Sequence, residues 1–194
     1  MNSAQSVRLF LALVCPKEWR NPYDELIGRL SGQVDSRNVK FVPFDNAHLT
    51  LRFFGSVQRQ TVEKVIETVE TVTTKSPPFT LHVEDIGAFP NLRKPRVLWI
   101  GLNQSTVLQC LYSSITRETA QIGKPPENRE FQPHLTLARI KQPDRNSIAA
   151  MSEFLKSKPV GFTPWEVKSI ELMESNLTPN GAVYSNLRTF TLTS

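Results

Sequence analysis

Cysteine and histidine are the scarce residues of this chain, two of the first and three of the second in 194. Cys15 and Cys110 are too few for a disulfide framework, and neither sits in a metal-type pair. A reduced, cytoplasmic protein is the expectation, with both thiols buried as small hydrophobes. Long hydrophobic runs are also missing. The most apolar stretch, Val7 to Cys15, is broken by Arg8 and is too short to cross a bilayer. No clear small-residue cleavage site follows it, so it reads as a buried strand, and no membrane association is expected. Charge is not gathered into blocks. The formal net charge of +5 and pI near 9.4 favour an anionic partner only mildly, because the basic residues are scattered. Compositional disorder is absent too. With 39% hydrophobic residues, three Trp and eleven Phe, the chain has ample material for a core. Its length suits one large domain or two small lobes sharing a core.

What the chain does have is a repeat. His48-Leu49-Thr50-Leu51 reappears letter for letter as His134-Leu135-Thr136-Leu137, using two of the three histidines. Each tetrapeptide alternates polar and apolar residues, the period of a half-buried strand. On such a strand His and Thr share one face, about 6.6 Å apart, and the leucines point to the other. A single His-x-Thr is ordinarily a satisfied, half-buried histidine. Two identical copies at matched positions of a duplicated unit point to function. Zinc is the rival use for paired histidines, but it would want a third protein ligand and threonines are poor ones. His82 lies in a separate predicted strand, Leu81-His82-Val83, and is read as structural.

The flanking elements repeat as well. The first copy runs from a strand at Val7–Val14 through a helix at Pro22–Leu30 to the first motif. A helix at Thr61–Thr73 and a strand at Phe79–Ile86 follow. The second copy has a strand at Arg96–Leu102, a helix through Val107, Leu111 and Ile115, and then the second motif. Another helix follows around Ile148–Leu155, with strands at Val167–Met173 and near Leu187–Leu192. Val7 and His48 are 41 residues apart, Val97 and His134 37. The expected fold is α+β and bilobal: duplicated β-α-β units, antiparallel sheets lining a central cleft, helices outside, and a pseudo-two-fold axis. Residues 1–194 are read as a single domain, its lobes interleaved around 48–51 and 134–137.

Two imidazoles on opposite sides of a phosphorus suit acid–base chemistry near neutral pH, each contributing on the order of 10²–10⁴ in rate. The Thr50 and Thr136 hydroxyls would donate to the non-bridging oxygens. Strict alternation places Arg52 on the same face as His48 and Thr50. Phe131 and Phe53 are candidates to stack on a terminal base, although a Phe beside a strand is more often core.

The doubled motif resembles that of the 2H phosphoesterase superfamily. Within it, the chain is similar to the RNA 2′,3′-cyclic phosphodiesterases, also described as 2′-5′ RNA ligase-like proteins. The likeness covers nearly the whole chain: Arg8-Leu9-Phe10, Asn46-Ala47 before the first motif, the Gly87-Ala88-Phe89-Pro90 turn with Arg96-Val97-Leu98-Trp99 after it, and Phe131-Gln132-Pro133 before the second motif. It implies hydrolysis of a terminal cyclic phosphate on RNA, tRNA fragments among the substrates, to a 2′-phosphate. By analogy His48 protonates the departing 3′ oxygen and His134 activates water, although the pseudo-symmetry leaves the order open. The likeness also implies that Arg139 reaches the phosphate, which requires a bulge or a strand end, since strict alternation would aim it at the leucine face. No metal or other cofactor is implied. The alternatives are ATP-independent RNA ligation, a phosphodiesterase for small cyclic or 2′,5′-linked nucleotides, and a non-catalytic RNA-end-binding module. A cleft between the chain's own halves needs no second copy, so a monomer is expected.

Overall fold

A computed structural model describes residues 6–126, 128, 130–179 and 181–193. The chain runs β1 (Ser6–Val14), α1 (Arg20–Ser31), β2 (Val39–Phe41), β3 (His48–Gln58), α2 (Thr61–Thr73), β4 (Phe79–Leu81) and β5 (Val83–Phe89). The same order, without a counterpart of β2, then recurs as β6 (Val97–Leu102), α3 (Thr106–Glu118), β7 (His134–Ile140), α4 (Arg145–Phe154), β8 (Trp165–Val167) and β9 (Ser169–Thr178), with β10 (Gly181–Thr191) added. No helix among the described residues is long and apolar enough to cross a membrane.

The helices start and face as local chemistry directs. Ser105 accepts a hydrogen bond from the Leu108 N–H at the head of α3, and Asp144 does the same for Ser147 at the head of α4. In α2, Val65, Val69 and Val72 fall on one stripe and are buried.

The main sheet has the order β10-β9-β1-β3-β7-β6-β5, with β2 on the flank of β7, and its pairs are antiparallel. Its centre is the β3–β7 junction, joined at Leu49 and Leu135. About that junction the halves are related as expected, but they exchange their outer strands. β9 of the second half pairs with β1, and β5 of the first half pairs with β6. The exchange continues away from the sheet: β4 pairs with β8, α1 packs on α4, and α2 on α3. Leu9, Leu11, Leu13, Leu49, Leu98, Ile100, Leu135 and Leu172 fill the interior on one face of the sheet.

Four local expectations are corrected. The predicted strand Phe79–Ile86 breaks at His82, which is exposed in the step between β4 and β5. Lys168 makes the equivalent step between β8 and β9. The Gly87–Phe89 run belongs to the end of β5, not to a turn. There Gly87 leaves room for the Trp99 indole, which a Cβ would strike. Finally, Cys15 is buried, and burial pushes its thiol up to about 12, whereas Cys110 is exposed on α3.

Candidate active site

Both motif strands begin at their histidine. Leu49, Leu51, Leu135 and Leu137 are buried beneath them, and His48, Thr50, His134 and Thr136 face a cleft. The antiparallel register about Leu49 and Leu135 sets Thr50 beside His134 and His48 beside Thr136. Each histidine therefore has the other half's threonine as its cross-strand neighbour.

The two rings are held alike. His48 Nδ1 lies 2.8 Å from the Asn46 carbonyl and His134 Nδ1 2.7 Å from the Gln132 carbonyl, each two residues back in the chain. A carbonyl only accepts, so Nδ1 carries the proton in both, and Nε2 becomes the nitrogen that exchanges it. The surroundings differ. His48 packs against Phe10 and the edge of Tyr184, with ring centroids 4.8 and 5.3 Å away. His134 meets the edges of Phe89 and Trp99 at 5.0 and 6.4 Å. Burial lowers the pKa of His48, and the nearby Arg139 and His134 charges add to the effect over an opposing hydrogen bond to Asn46.

Past the motifs, strand alternation fails in both halves at the same place. Against β1, Leu11 pairs with Arg52 but Ala12 with Thr50, so β3 carries an extra residue at Leu51. Against β6, Leu98 pairs with Ala138 but Trp99 with Thr136, which inserts an extra residue at Leu137. Each bulge swaps the faces beyond it. Arg139 thereby emerges on the cleft side, and Phe53, five residues after His48 as Arg139 is after His134, does the same. Arg52 turns inward and is only 5% exposed. Its guanidinium donates to the carbonyls of Phe53 (2.8 Å), Lys124 (2.6 Å) and Ile122 (3.3 Å) and to Thr119 Oγ1 (3.3 Å). Four of its five N–H donors are thus taken by protein acceptors, although Arg52 still lines the larger cavity of the cleft.

The cleft consists of two adjoining cavities of about 830 and 360 Å³ that share Arg8, Thr50, Phe53, His134, Thr136 and Arg139. Phe131 lines the larger one, stacked on Tyr112 with centroids 3.9 Å apart and planes within 10°. Sequence reasoning missed the aromatic frame of Phe10, Tyr184, Phe89 and Trp99. It also took Arg8 as a break in an apolar run and as part of the family likeness, not as a cleft residue. The signal that could have found it was parity: in β1, Arg8 and Phe10 alternate with the buried Val7, Leu9 and Leu11. Among the described residues, no group of three or more His, Cys, Asp or Glu is placed to hold a metal ion.

The family model of the LigT-like phosphoesterases matches the chain twice, over residues 13–99 and 100–184, once for each half. A protein of Aquifex aeolicus named RNA 2′,3′-cyclic phosphodiesterase is 32% identical over 96% of this chain and 97% of its own length. One of the same name from Methanothermobacter thermautotrophicus is also 32% identical, over 96% and 99%. Among solved structures, a Thermus thermophilus protein superposes with a TM-score of 0.78 at 28% identity, covering 95% of this chain and 97% of that one. Escherichia coli LigT complexed with 3′-AMP gives 0.72 at 26% identity, covering 98% and 100%. The chain belongs to the LigT-like phosphoesterases, a 2H phosphoesterase family.

Proposed function

We propose that this protein hydrolyses RNA 2′,3′-cyclic phosphate ends to 2′-phosphomonoesters, with His48 and His134 as an acid–base pair and no cofactor. The supporting observation is the pair of identically tethered imidazoles, each across the register from the other half's threonine. The names of the Aquifex and Methanothermobacter relatives supply the substrate class.

One imidazole takes a proton from water as the oxygen attacks phosphorus. The bond from phosphorus to the 3′ oxygen breaks, and the other imidazole protonates that oxygen, leaving a 3′-hydroxyl and a 2′-phosphate. Thr50, Thr136 and Arg139 meet the non-bridging oxygens, where charge accumulates. In the protein alone the lowered pKa keeps His48 neutral, the form of a base, whereas the family analogy makes it the acid. An anionic phosphodiester reconciles the two. By offsetting the Arg139 and His134 charges, it raises the His48 pKa and loads the ring with a proton. With a 5′-hydroxyl in place of water as the nucleophile, the same displacement of the 3′ oxygen makes a 2′-5′ linkage without ATP. The protein acts as a cytoplasmic monomer in this reading, since its cleft lies between its own halves, and ends of tRNA fragments fall within its substrate class.

The test is a short RNA ending in a 2′,3′-cyclic phosphate, incubated in excess EDTA, with the product resolved as 2′- or 3′-phosphate. Conversion to the 2′-phosphate, lost in His48→Ala and in His134→Ala, is the expected result. Binding of the same RNA without turnover would instead make the protein an end-binding module, and turnover confined to small nucleotides would narrow its substrate class.

A further inference from the structure

The cleft is larger than its reacting centre requires, and the excess lies on one side. The larger cavity continues from Thr50 past Phe53 to Lys124. Two cations meet on the Phe53 ring there: the Arg8 guanidinium carbon is 4.7 Å and the Lys124 ammonium 5.9 Å from its centroid. Arg8 and Lys124 belong to different elements and are both exposed. Neither makes an ion pair with a carboxylate among the described residues. Glu130 is the one acidic side chain among the described residues lining this cavity. Two cations lining one cavity beside a single ring, with one acidic neighbour among the described residues, make that part of the cleft favourable to an anion.

The position is also built rather than accidental. The Lys124 N–H donates to the Phe54 carbonyl at 2.7 Å, and its carbonyl accepts from buried Arg52 at 2.6 Å. Gly123 makes the approach possible. It sits at φ +65°, where any other residue is strained, and an added Cβ would strike the Phe54 carbonyl. The backbone on both sides of the Lys124 side chain is therefore fixed to β3. Because of the Leu51 bulge, Phe53 is the next cleft-facing residue after Thr50, about 7 Å further along the strand. That separation is within the reach of one nucleotide.

We infer that Arg8 and Lys124, standing on Phe53, form a second phosphate site, which takes the internucleotide phosphate next to the reacting end of an RNA. The inference rests on reading the cleft as an RNA-end phosphodiesterase site, and it narrows the substrate to chains of at least two nucleotides. Phe53 supplies an aromatic face beside that phosphate on which a base can stack.

The experiment compares two substrates, a nucleoside 2′,3′-cyclic phosphate and a dinucleotide ending in the same group. They differ by one nucleoside and one phosphate. The wild-type protein is expected to show a KM at least about tenfold lower for the dinucleotide. Arg8→Ala/Lys124→Ala should erase most of that preference, chiefly through KM. A preference that survives the double variant, or a KM that rises equally for both substrates, overturns the second site. Calorimetric binding of the dinucleotide and mononucleotide 3′-phosphates reads the same difference without turnover. If the wild type hydrolyses neither substrate, the enzymatic reading fails, and these binding affinities still decide whether Arg8 and Lys124 hold a phosphate.

Discussion

The halves of this molecule are alike where they hold the imidazoles and unlike five residues later. In each, a backbone carbonyl two residues before the histidine fixes Nδ1, and a bulge one residue after the threonine turns the strand over. The residue that the bulge delivers to the cleft is Phe53 in the first half and Arg139 in the second. The two halves thus present a matched pair of imidazoles, and the position that each bulge delivers to the cleft differs, an aromatic surface in one half and a fixed charge in the other. A phosphodiester end is itself asymmetric, with a base on one side and a scissile oxygen on the other, so a strictly symmetric cleft would have no means of orienting it.

The largest expected effect comes from removing what the halves share. His48→Ala and His134→Ala should each lower kcat by about 10²–10⁴-fold. The double variant should lose little more than the worse single one, because the pair acts as a unit. Losses that differ by more than that range would show that one half carries the chemistry alone.

The next effect comes from what the halves do not share. Arg139→Ala should lower kcat/KM by on the order of 10²-fold, with Arg139→Lys recovering only part, since a point charge does not reproduce the planar guanidinium. Arg52→Ala should act on stability instead. It strips a charged donor from three carbonyls and a hydroxyl, costing about 2–3 kcal/mol by urea denaturation. An Arg52 variant of unchanged stability whose KM alone has risen would return that residue to the ligand side of the strand.

The smallest effect concerns protons on His48. Its folded pKa lies below the ordinary 6.5, so as pH falls through that value the unfolded chain binds a proton that the folded chain refuses. Folding stability is lost over that window and levels off below the folded pKa. His48→Gln should therefore gain in melting temperature relative to wild type as pH is lowered from about 8 to about 5. Adding inorganic phosphate should move the His48 titration seen by NMR upward. A downward movement would contradict the proposed loading of the ring by the substrate's charge.

Much of this was readable from residues alone. The valine stripe of α2 predicts Thr61–Thr73, and those are its bounds. The alternation of each tetrapeptide places His and Thr on one face and the leucines on the other, as found. What could not be read was decided by partners distant in sequence. A bulge arises where two strands fail to match residue for residue, and nothing within Leu49-Thr50-Leu51-Arg52 reports how β1 will pair with it. The inward turn of Arg52 and the outward turn of Arg139 follow from that mismatch. The exchange of β5 and β9 between halves was hidden for the same reason, because the partner of each strand lies in the other half of the sequence. Cys110 needed only a count of helical turns: Leu108, Leu111 and Ile115 define the buried side of α3, and position 110 falls off it.

The strand exchange also sets a timetable. β1 is synthesised well before β9, yet β9 is one of its two neighbours, with Leu9 meeting Glu174. At about 5–20 residues per second, that flank of β1 waits on the order of ten seconds for its partner to leave the ribosome. Until then Leu9, Leu11 and Leu13 belong to a sheet with an open edge, the kind that recruits other strands. A nascent chain paused between α3 and β9 would be the form of this protein most exposed to aggregation and most dependent on chaperones.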